Sequence, residues 1–464
     1  MRYIEKYLIS CGIVLLVTAC ASPDSLPPPT HEDVVQEALP ETTEIAVTWG
    51  EFTTEGSVQD GWIGTFNDQK LVQIVDEVLK NNRDIAVAAA NVEVAAGLAT
   101  QAGAQLAPAV AVGGGAQTAN RGGTDTNVAG AALNVEWELD IWGKLGSEAA
   151  AATESFRASQ ANFEFARLSL AAQAAKAWFM ATEVNLQKLL SEESVMIHTQ
   201  IREIVGKRVE AGAAQPQDVY LAKADLSAAE DRNRQAIGAF EQSVRSLEVL
   251  LGRYPAAELE VPSEYVPVPP PIPVGIPSEV LERRPDVIAA EREVAAAYNR
   301  VEAAKAAKLP SITLTASGGR SSDELLDIVG LGGNFFSLGA NFVAPLDIGG
   351  GLQAQVEIET AQQEAALAAY GGLALRVFSE VESGLRNETL LLEREVFLTS
   401  AVENNSEAMK AAQIQYEVGA VDFLSVLQMQ TRVLNSRIEL VRIKNARLAQ
   451  RIDLHLALGG DFSE

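Results

Sequence analysis

Two hydrophobic rhythms alternate along this chain. In "ALNVEWELDIW" every second residue is apolar: Leu133, Val135, Trp137, Leu139 and Ile141 share one face, while Asn134, Glu136, Glu138 and Asp140 share the other. That period of two predicts a strand with one face in an apolar medium and one in water. A weaker version recurs with Phe342, Leu346 and Ile348 against Asn341 and Asp347, and shorter alternations occupy 109–116 and 311–318, where Ile312 and Leu314 face away from Thr313 and Thr315. The other rhythm spaces apolar residues four and three apart: Ile237, Phe240, Val244, Leu247, Leu251, and again Leu434, Ile438, Val441, then Leu448 and Ile452. It predicts helices packed as coiled coils. Proline-free runs of about 60 residues start near Lys144 and Leu352, each roughly 90 Å if helical throughout. Each run stops at a glycine, Gly212 or Gly419, beyond which Pro216 or Asp422 opens a return helix. Each run and its return thus make a long helical hairpin.

The plan is written twice. Asp84 matches Asp286 and Pro108 matches Pro310 at an offset of 202, whereas Asn134, Asp140, Gly143, Gly212 and Gly252 match Asn341, Asp347, Gly350, Gly419 and Gly459 at 207. Ordered Pro, Gly, Asn and Asp markers make this a tandem repeat. The five extra residues fall between Pro310 and Asn341, in the polar connection "SGGRSSDELLDIVGLGGN"; its counterpart "GAQTANRGGTDTN" is likewise expected to be a solvent-facing loop. A proline ladder over 267–277 joins the copies as a stiff connector. Ser278 is placed to cap the short helix that follows, and Pro285-Asp286 restarts the repeat.

Any one alternating strand could equally be half of a soluble sheet, but four of them behind an export signal favour lipid on the apolar face. Lipid tolerates no unpaired edge and a barrel needs at least about eight strands. Four strands therefore require other chains, and cyclic symmetry supplies identical ones.

The N-terminus reinforces this reading. Arg2 and Lys6 precede a short apolar run ending "VTAC", which reads as a lipoprotein signal over 1–19, with Cys20 the acylated residue carrying diacylglycerol and an N-acyl chain. No later run is expected to reach the roughly 20 apolar residues of a membrane helix. The net charge of −26 excludes nucleic acid as a partner. Hydrophobic residues make up 47% of the chain and aromatics only 6%, a balance that suits close-packed alanine helices. The three histidines lie far apart, and no glycine run has nucleotide-loop spacing, so the sequence offers neither catalytic residues nor a metal or cofactor site.

"PIPVGIPSEVLERRPDVIAAE", "GWIGTFNDQKLVQIVDEVLKNNRDI", "WELDIWGK", "LPSITLTASGG" and "YEVGAVDFLSVLQMQ" resemble the TolC-like outer-membrane factors, in particular the lipidated branch paired with resistance-nodulation-division pumps. The resemblance implies an α+β membrane channel. Each chain would give four barrel strands and long coiled-coil hairpins, and a homotrimer would form a 12-strand β-barrel in outer-membrane lipid above an α-helical periplasmic tunnel. It implies a passive exit duct for small molecules, partnered by a periplasmic adaptor and an inner-membrane pump. On this reading the chain divides into a signal (1–19), a lipidated tether (20–60), a first repeat (61–261), a linker (262–277) and a second repeat (278–464). The resemblance makes Gly212 and Gly419 the adaptor-contact tips and Tyr416 a periplasmic gate residue. Where the family carries rings of aspartate, this chain has Ser425 and Gln428, leaving Asp218 and Asp422 as the nearest acidic candidates. Weaker cation selectivity at the mouth follows. Type I protein secretion is the competing duct reading, and a periplasmic coiled-coil structural lipoprotein is the competing class.

Overall fold

The computed structural model describes residues 29–462, apart from 41, 44, 47, 51–55, 57, 59, 123 and 323–332. Cys20, the signal and the start of the tether lie outside the described residues, as does most of the longer second connection. The elements run α1 (His31–Ala38), a 3₁₀ turn (Trp62–Phe66), α2 (Gln69–Asn81), α3 (Arg83–Ala104), β1 (Ala109–Arg121), β2 (Thr124–Leu139), α4 (Lys144–Glu210) and α5 (Pro216–Leu250). The second copy follows with α6 (Pro277–Arg283), α7 (Pro285–Ala306), β3 (Ser311–Ser322), β4 (Asn334–Val343), α8 (Gly351–Glu417) and α9 (Phe423–Ala457). Both α4 and α8 have 67 residues, and both α5 and α9 have 35. α3 is long and apolar enough to cross a membrane by length and composition, which corrects the expectation that no run after Cys20 would be. Alanine supplies most of that apolar character.

The chain divides into two units. One gathers residues up to Thr42 with Asn91–Gln160 and Ala289–Gly372; the other gathers Thr43–Ala90, Ala161–Ile288 and Leu373–Glu464.

In the first unit the strands form one antiparallel sheet in the order β1-β2-β3-β4. Pairing aligns Val110 with Val135, Trp137 with Leu314, and Ala316 with Leu338, so that apolar residues lie on one face across all four strands. The opposite face aligns Asn134 with Ser317 and Ser337, and Glu136 with Thr315. β1 and β2 remain paired as far as Arg121↔Thr124, with Gly122 at φ +66°. The polar stretch expected to be a loop is therefore largely strand and tight turn.

The sheet ends earlier than the alternation suggested. Pro345 has no N–H to give to a ladder, and Leu346 and Ile348 lie beyond β4, 82% and 92% exposed. Asp140 and Asp347 also leave the strand pattern and cap the long helices. Asp140 accepts from the N–H groups of Leu145 and Gly146 at 3.0 and 2.7 Å, and Asp347 from those of Leu352 and Gln353 at 3.1 and 2.9 Å. Gly143 and Gly350, at φ +74° and +73°, make the turn between cap and helix. Helix α1 docks in this unit through the buried Val34. A Cβ on Gly371 would come within 2.2 Å of the Ala38 carbonyl, so only glycine admits that approach.

The second unit holds the main core. Trp62, Phe66, Leu71 and Val78 pack with Trp178 and Phe179 of α4, Leu247 and Leu251 at the end of α5, and Leu448 and Ile452 of α9. Asp68 caps α2 through the N–H groups of Lys70 and Leu71, and its second oxygen accepts from Trp178 Nε1 at 2.8 Å, tying the short helix to the long one. The proline connector is fastened to the helices. Asn185 donates to the Val261 and Pro262 carbonyls, Tyr265 to the Val441 carbonyl, and Arg451 to those of Pro269 and Pro270. Pro277 takes the first position of α6, and Glu279 accepts from the Ile276 N–H. Ser278, expected to be the cap, is inside the helix instead, because proline already fits the position whose N–H has no partner.

Candidate functional site

The sheet is one functional surface. Val112, Phe336, Leu338 and Phe342 are 67–85% exposed on its apolar face. Exposing that much hydrocarbon to water would be strongly unfavourable at roughly 25 cal/mol per Å². The polar face carries Glu138, paired with Lys144 at 2.7 Å, and a contact between the Ser317 and Ser337 hydroxyls at 2.8 Å. Among the described residues the outer edges of β1 and β4 have no strand beside them.

The hairpin tips are the other candidate surface. At Gly212 the chain turns with φ +69°, the Ala213 N–H reaching the Arg208 carbonyl and the Gly212 N–H that of Val209. At Gly419, φ +79°, Ala420 reaches Gln415 and Gly419 reaches Tyr416 in the same pattern. These are matched Schellman stops, which need a left-handed residue and hence glycine.

Tyr416 lies buried between the two hairpins. Its ring stands 4.5 Å from the Arg208 guanidinium and 5.8 Å from the Phe423 ring. Arg208 also donates to the carbonyls of Tyr416 and Glu417 at 2.8 and 3.0 Å, so one side chain of α4 closes the exposed end of α8. Among the described residues the Tyr416 hydroxyl has no hydrogen-bond partner. Burial pushes its pKa above the ordinary value; Arg208 opposes that rise and Asp218 adds to it.

The acidic candidates are committed locally. Asp422 caps α9, accepting from the backbone N–H and hydroxyl of Ser425 at 2.9 and 2.6 Å, and those bonds hold its carboxyl below the usual range. Asp218 accepts from the Gln215 N–H at 3.2 Å at the start of α5. Ser425 is thus tied to Asp422, while Gln428 is exposed. Around the tips Tyr220, Val418 and Leu424 are 72%, 76% and 55% exposed.

Sequence reasoning missed Arg208. Its only signal is a basic residue in the last turn before a glycine stop, the kind of residue that the helix dipole favours there anyway. It also missed charges buried away from the tips. Arg451 is 2% exposed, held by Glu388 and the connector carbonyls, and burial pushes its pKa down to about 10. His455 stacks on Trp62 at 5.4 Å, and burial, with the Arg451 charge adding, pushes it down to about 3. Glu248, 3% exposed, takes backbone N–H bonds from Ala257, Glu258 and Leu259, and these outweigh its burial to hold it below the ordinary range. Among the described residues no group of three or more His, Cys, Asp or Glu is placed to hold a metal ion.

The family model described as "Outer membrane efflux protein" matches residues 74–253 and 276–460, both copies of the repeat. The chain is 29% identical over 418 residues to the probable efflux pump outer membrane protein TtgC of Pseudomonas putida, covering 88% of this chain and 86% of that one. It has the same identity to the outer membrane protein OprJ of Pseudomonas aeruginosa, over 87% and 86%. Among solved structures, the CmeC outer membrane channel of Campylobacter jejuni superposes with a TM-score of 0.83 at 23% identity, covering 96% of each chain. The open state of the MtrE channel of Neisseria gonorrhoeae gives 0.79 at 25%, covering 91% of this chain and 98% of that one.

Proposed function

Because the chain belongs to the outer membrane efflux protein family, we propose that it is the outer-membrane exit duct of a tripartite efflux system. Small molecules pass through it from a periplasmic adaptor and an inner-membrane pump to the outside. It does no chemistry of its own, and it carries acyl lipid on Cys20.

The observation that carries this reading is the four-stranded sheet with one apolar face, one polar face and two open edges. Lipid would cover the apolar face and water the polar one. The edge of β4 on one chain finds its partner in β1 of the next, and three chains bring twelve strands, enough to close a barrel. A homotrimer also sets six helical hairpins around one axis, and the exposed Val418 and Leu424 beside Gly419, with Tyr220 beside Gly212, offer apolar contacts to an adaptor.

A heat-modifiable trimer in outer-membrane fractions, with discrete conductance in planar bilayers, is the expected result. A helical protein released from membranes without detergent once Cys20→Ser removes the lipid would instead support the structural-lipoprotein class. Cys20→Ser in the duct leaves the trimer in the membrane, held by its strands.

A further inference from the structure

The polar face of the sheet changes chemistry along its length. At the end where β2 and β4 lead toward the long helices, one row of neighbours is Ala109, Glu136, Thr315 and Gly339, and the next is Ala111, Asn134, Ser317 and Ser337. Beyond them come Gly113, Ala132, Gly319 and Phe335, then Gly115, Gly130 and Ser321, whose N–H donates to the Gly333 carbonyl. Those two rows are almost bare backbone, and Phe335 alone brings a large side chain to them. It breaks the alternation of β4, in which Ser337, Gly339 and Asn341 share its face while Phe336, Leu338 and Phe342 take the other.

The bare rows are built into the strand pairing. A Cβ on Gly319 would lie 2.2 Å from the Ala131 carbonyl oxygen, and one on Gly130 would lie 3.0 Å from that of Arg320, so β2 and β3 run too close here to admit side chains. A hollow of about 470 Å³ results, with Gly113, Gly115 and Gly130 as its floor and Val128, Ser321 and Phe335 along its sides. Phe335 is 40% exposed and Val128 52%, so both present hydrocarbon on the face that elsewhere meets water. The exposed carboxylate of Glu136 shares that face, about 13 Å along the strand from Ala132. A flat solute can lie against the glycine backbone with Phe335 beside it, and a positive charge on it is drawn by Glu136.

We propose that Phe335 discriminates among solutes in the barrel lumen, with three rings, one from each chain, retaining flat aromatic cations at this level by stacking and cation–π contact. This rests on the duct reading, since only in a closed barrel does the polar face line a passage.

Phe335→Cys and Phe336→Cys, made in the full-length protein and reconstituted into lipid vesicles, test the placement. A charged, membrane-impermeant methanethiosulfonate is expected to label the first and not the second; the native protein, with Cys11 and Cys20 as its cysteines, is the control. Planar-bilayer currents test the discrimination, with proflavine as the flat cation and hexylammonium as an alkyl cation of the same charge. Proflavine added on the outer side is expected to interrupt the current, about fivefold more weakly in Phe335→Ala, the loss of one stacking contact. Phe335→Leu, which keeps bulk but not the ring, should weaken it too, while Phe335→Trp and Phe336→Ala should retain it. Hexylammonium should respond to none of these changes. The proposal is overturned if the charged reagent leaves Phe335→Cys unlabelled, if proflavine acts on Phe335→Ala as on the native protein, or if hexylammonium loses as much as proflavine. A lower melting temperature in Phe335→Ala with proflavine block unchanged would likewise overturn it, making the ring a shield for the Gly319 backbone. Native protein that forms no pore fails the duct reading and this proposal together, whereas pores indifferent to Phe335 fail the proposal alone.

Discussion

Asn82 and Arg284 stand at equivalent positions of the two repeats and donate to equivalent helix-end carbonyls, Asn82 to Leu250 at 3.3 Å and Arg284 to Ala457 at 3.2 Å. The glycines just beyond those carbonyls are matched too. A Cβ on Gly252 would meet the Asn81 carbonyl at 3.1 Å, and one on Gly459 would meet the backbone of Arg283 and Arg284 at 3.2 Å. The duplication therefore kept a joint and changed its chemistry. In the first copy a neutral amide makes it; in the second a guanidinium, 3% exposed, needs Asp286 at 2.8 Å and Glu380 at 2.6 Å to answer its charge.

Removing these two donors is expected to have unequal effects. Arg284→Ala leaves Asp286 without its partner in a mostly buried place and should cost about 3 kcal/mol. Asn82→Ala loses two neutral bonds, the one to Leu250 and the one its Oδ1 accepts from the Asp84 N–H at 2.8 Å, and should cost about 2 kcal/mol. Denaturant unfolding of the detergent-solubilised protein reads both, and equal losses would contradict the asymmetry.

His455 gives the fold a pH dependence with a definite sign. It is pushed from an ordinary value of 6.5 down to about 3, by burial first and the Arg451 charge second. Between those values the unfolded chain holds a proton that the folded chain does not, so stability is full above about pH 6.5 and falls as pH drops toward 3. The slope is about 1.4 kcal/mol per pH unit for this one group. His455→Phe keeps an aromatic ring against Trp62 and should flatten the curve in that window by that amount; melting temperatures across pH 4–7, native against variant, measure it.

At the tips, Arg208→Ala removes both bonds to the end of α8 and the cation above the Tyr416 ring. A rise in single-channel conductance or in open time is expected, with Arg208→Lys intermediate because a lysine cannot donate in the same forked geometry. Unchanged currents for both variants would remove Arg208 from any role in closure.

Ser425→Asp and Gln428→Asp each add three carboxylates to a trimer and are expected to raise cation preference in planar bilayers, most steeply at low salt, where screening is weakest. Strong cation preference in the native protein, lost on changing Ser425 or Gln428 to alanine, would contradict the reading of these positions as uncharged.

On the sheet, Leu338 and Ser337 are neighbours with opposite surroundings. Leu338→Arg puts a charge on the apolar face at about 2–4 kcal/mol if near the middle of the bilayer, whereas Ser337→Arg faces the polar side and costs little. Heat-modifiable trimer should be depleted for the first and retained for the second, as seen on unheated gels.

Much of this arrangement was legible because period and punctuation are local. Leu133, Val135 and Trp137 announce a two-faced strand without any knowledge of its partner, and Gly212 and Gly419 end helices by backbone geometry alone. Where two local signals overlapped, the reading slipped. Asp140 and Asp347 continue the strand's alternation in sequence, yet each had a helix starting four residues on to satisfy, and capping won. Ser278 looked like a cap until Pro277 took the first helical position. Arg208 and Arg451 were illegible for another reason: the groups that hold them lie tens to hundreds of residues away, on elements whose mutual packing no local pattern encodes, and the same is true of the Glu380 and Ala457 partners of Arg284.

The two tips are copies, yet Arg208 has Gln415 as its counterpart and Tyr416 has Val209, so the donor of this latch belongs to one half and its acceptor to the other. Had six identical half-length chains built the ring, each would have had to carry both roles, and any change to one would have changed all six at once. Fusion of the halves broke that constraint: a single gene can now alter every second hairpin around the ring and leave the others unchanged.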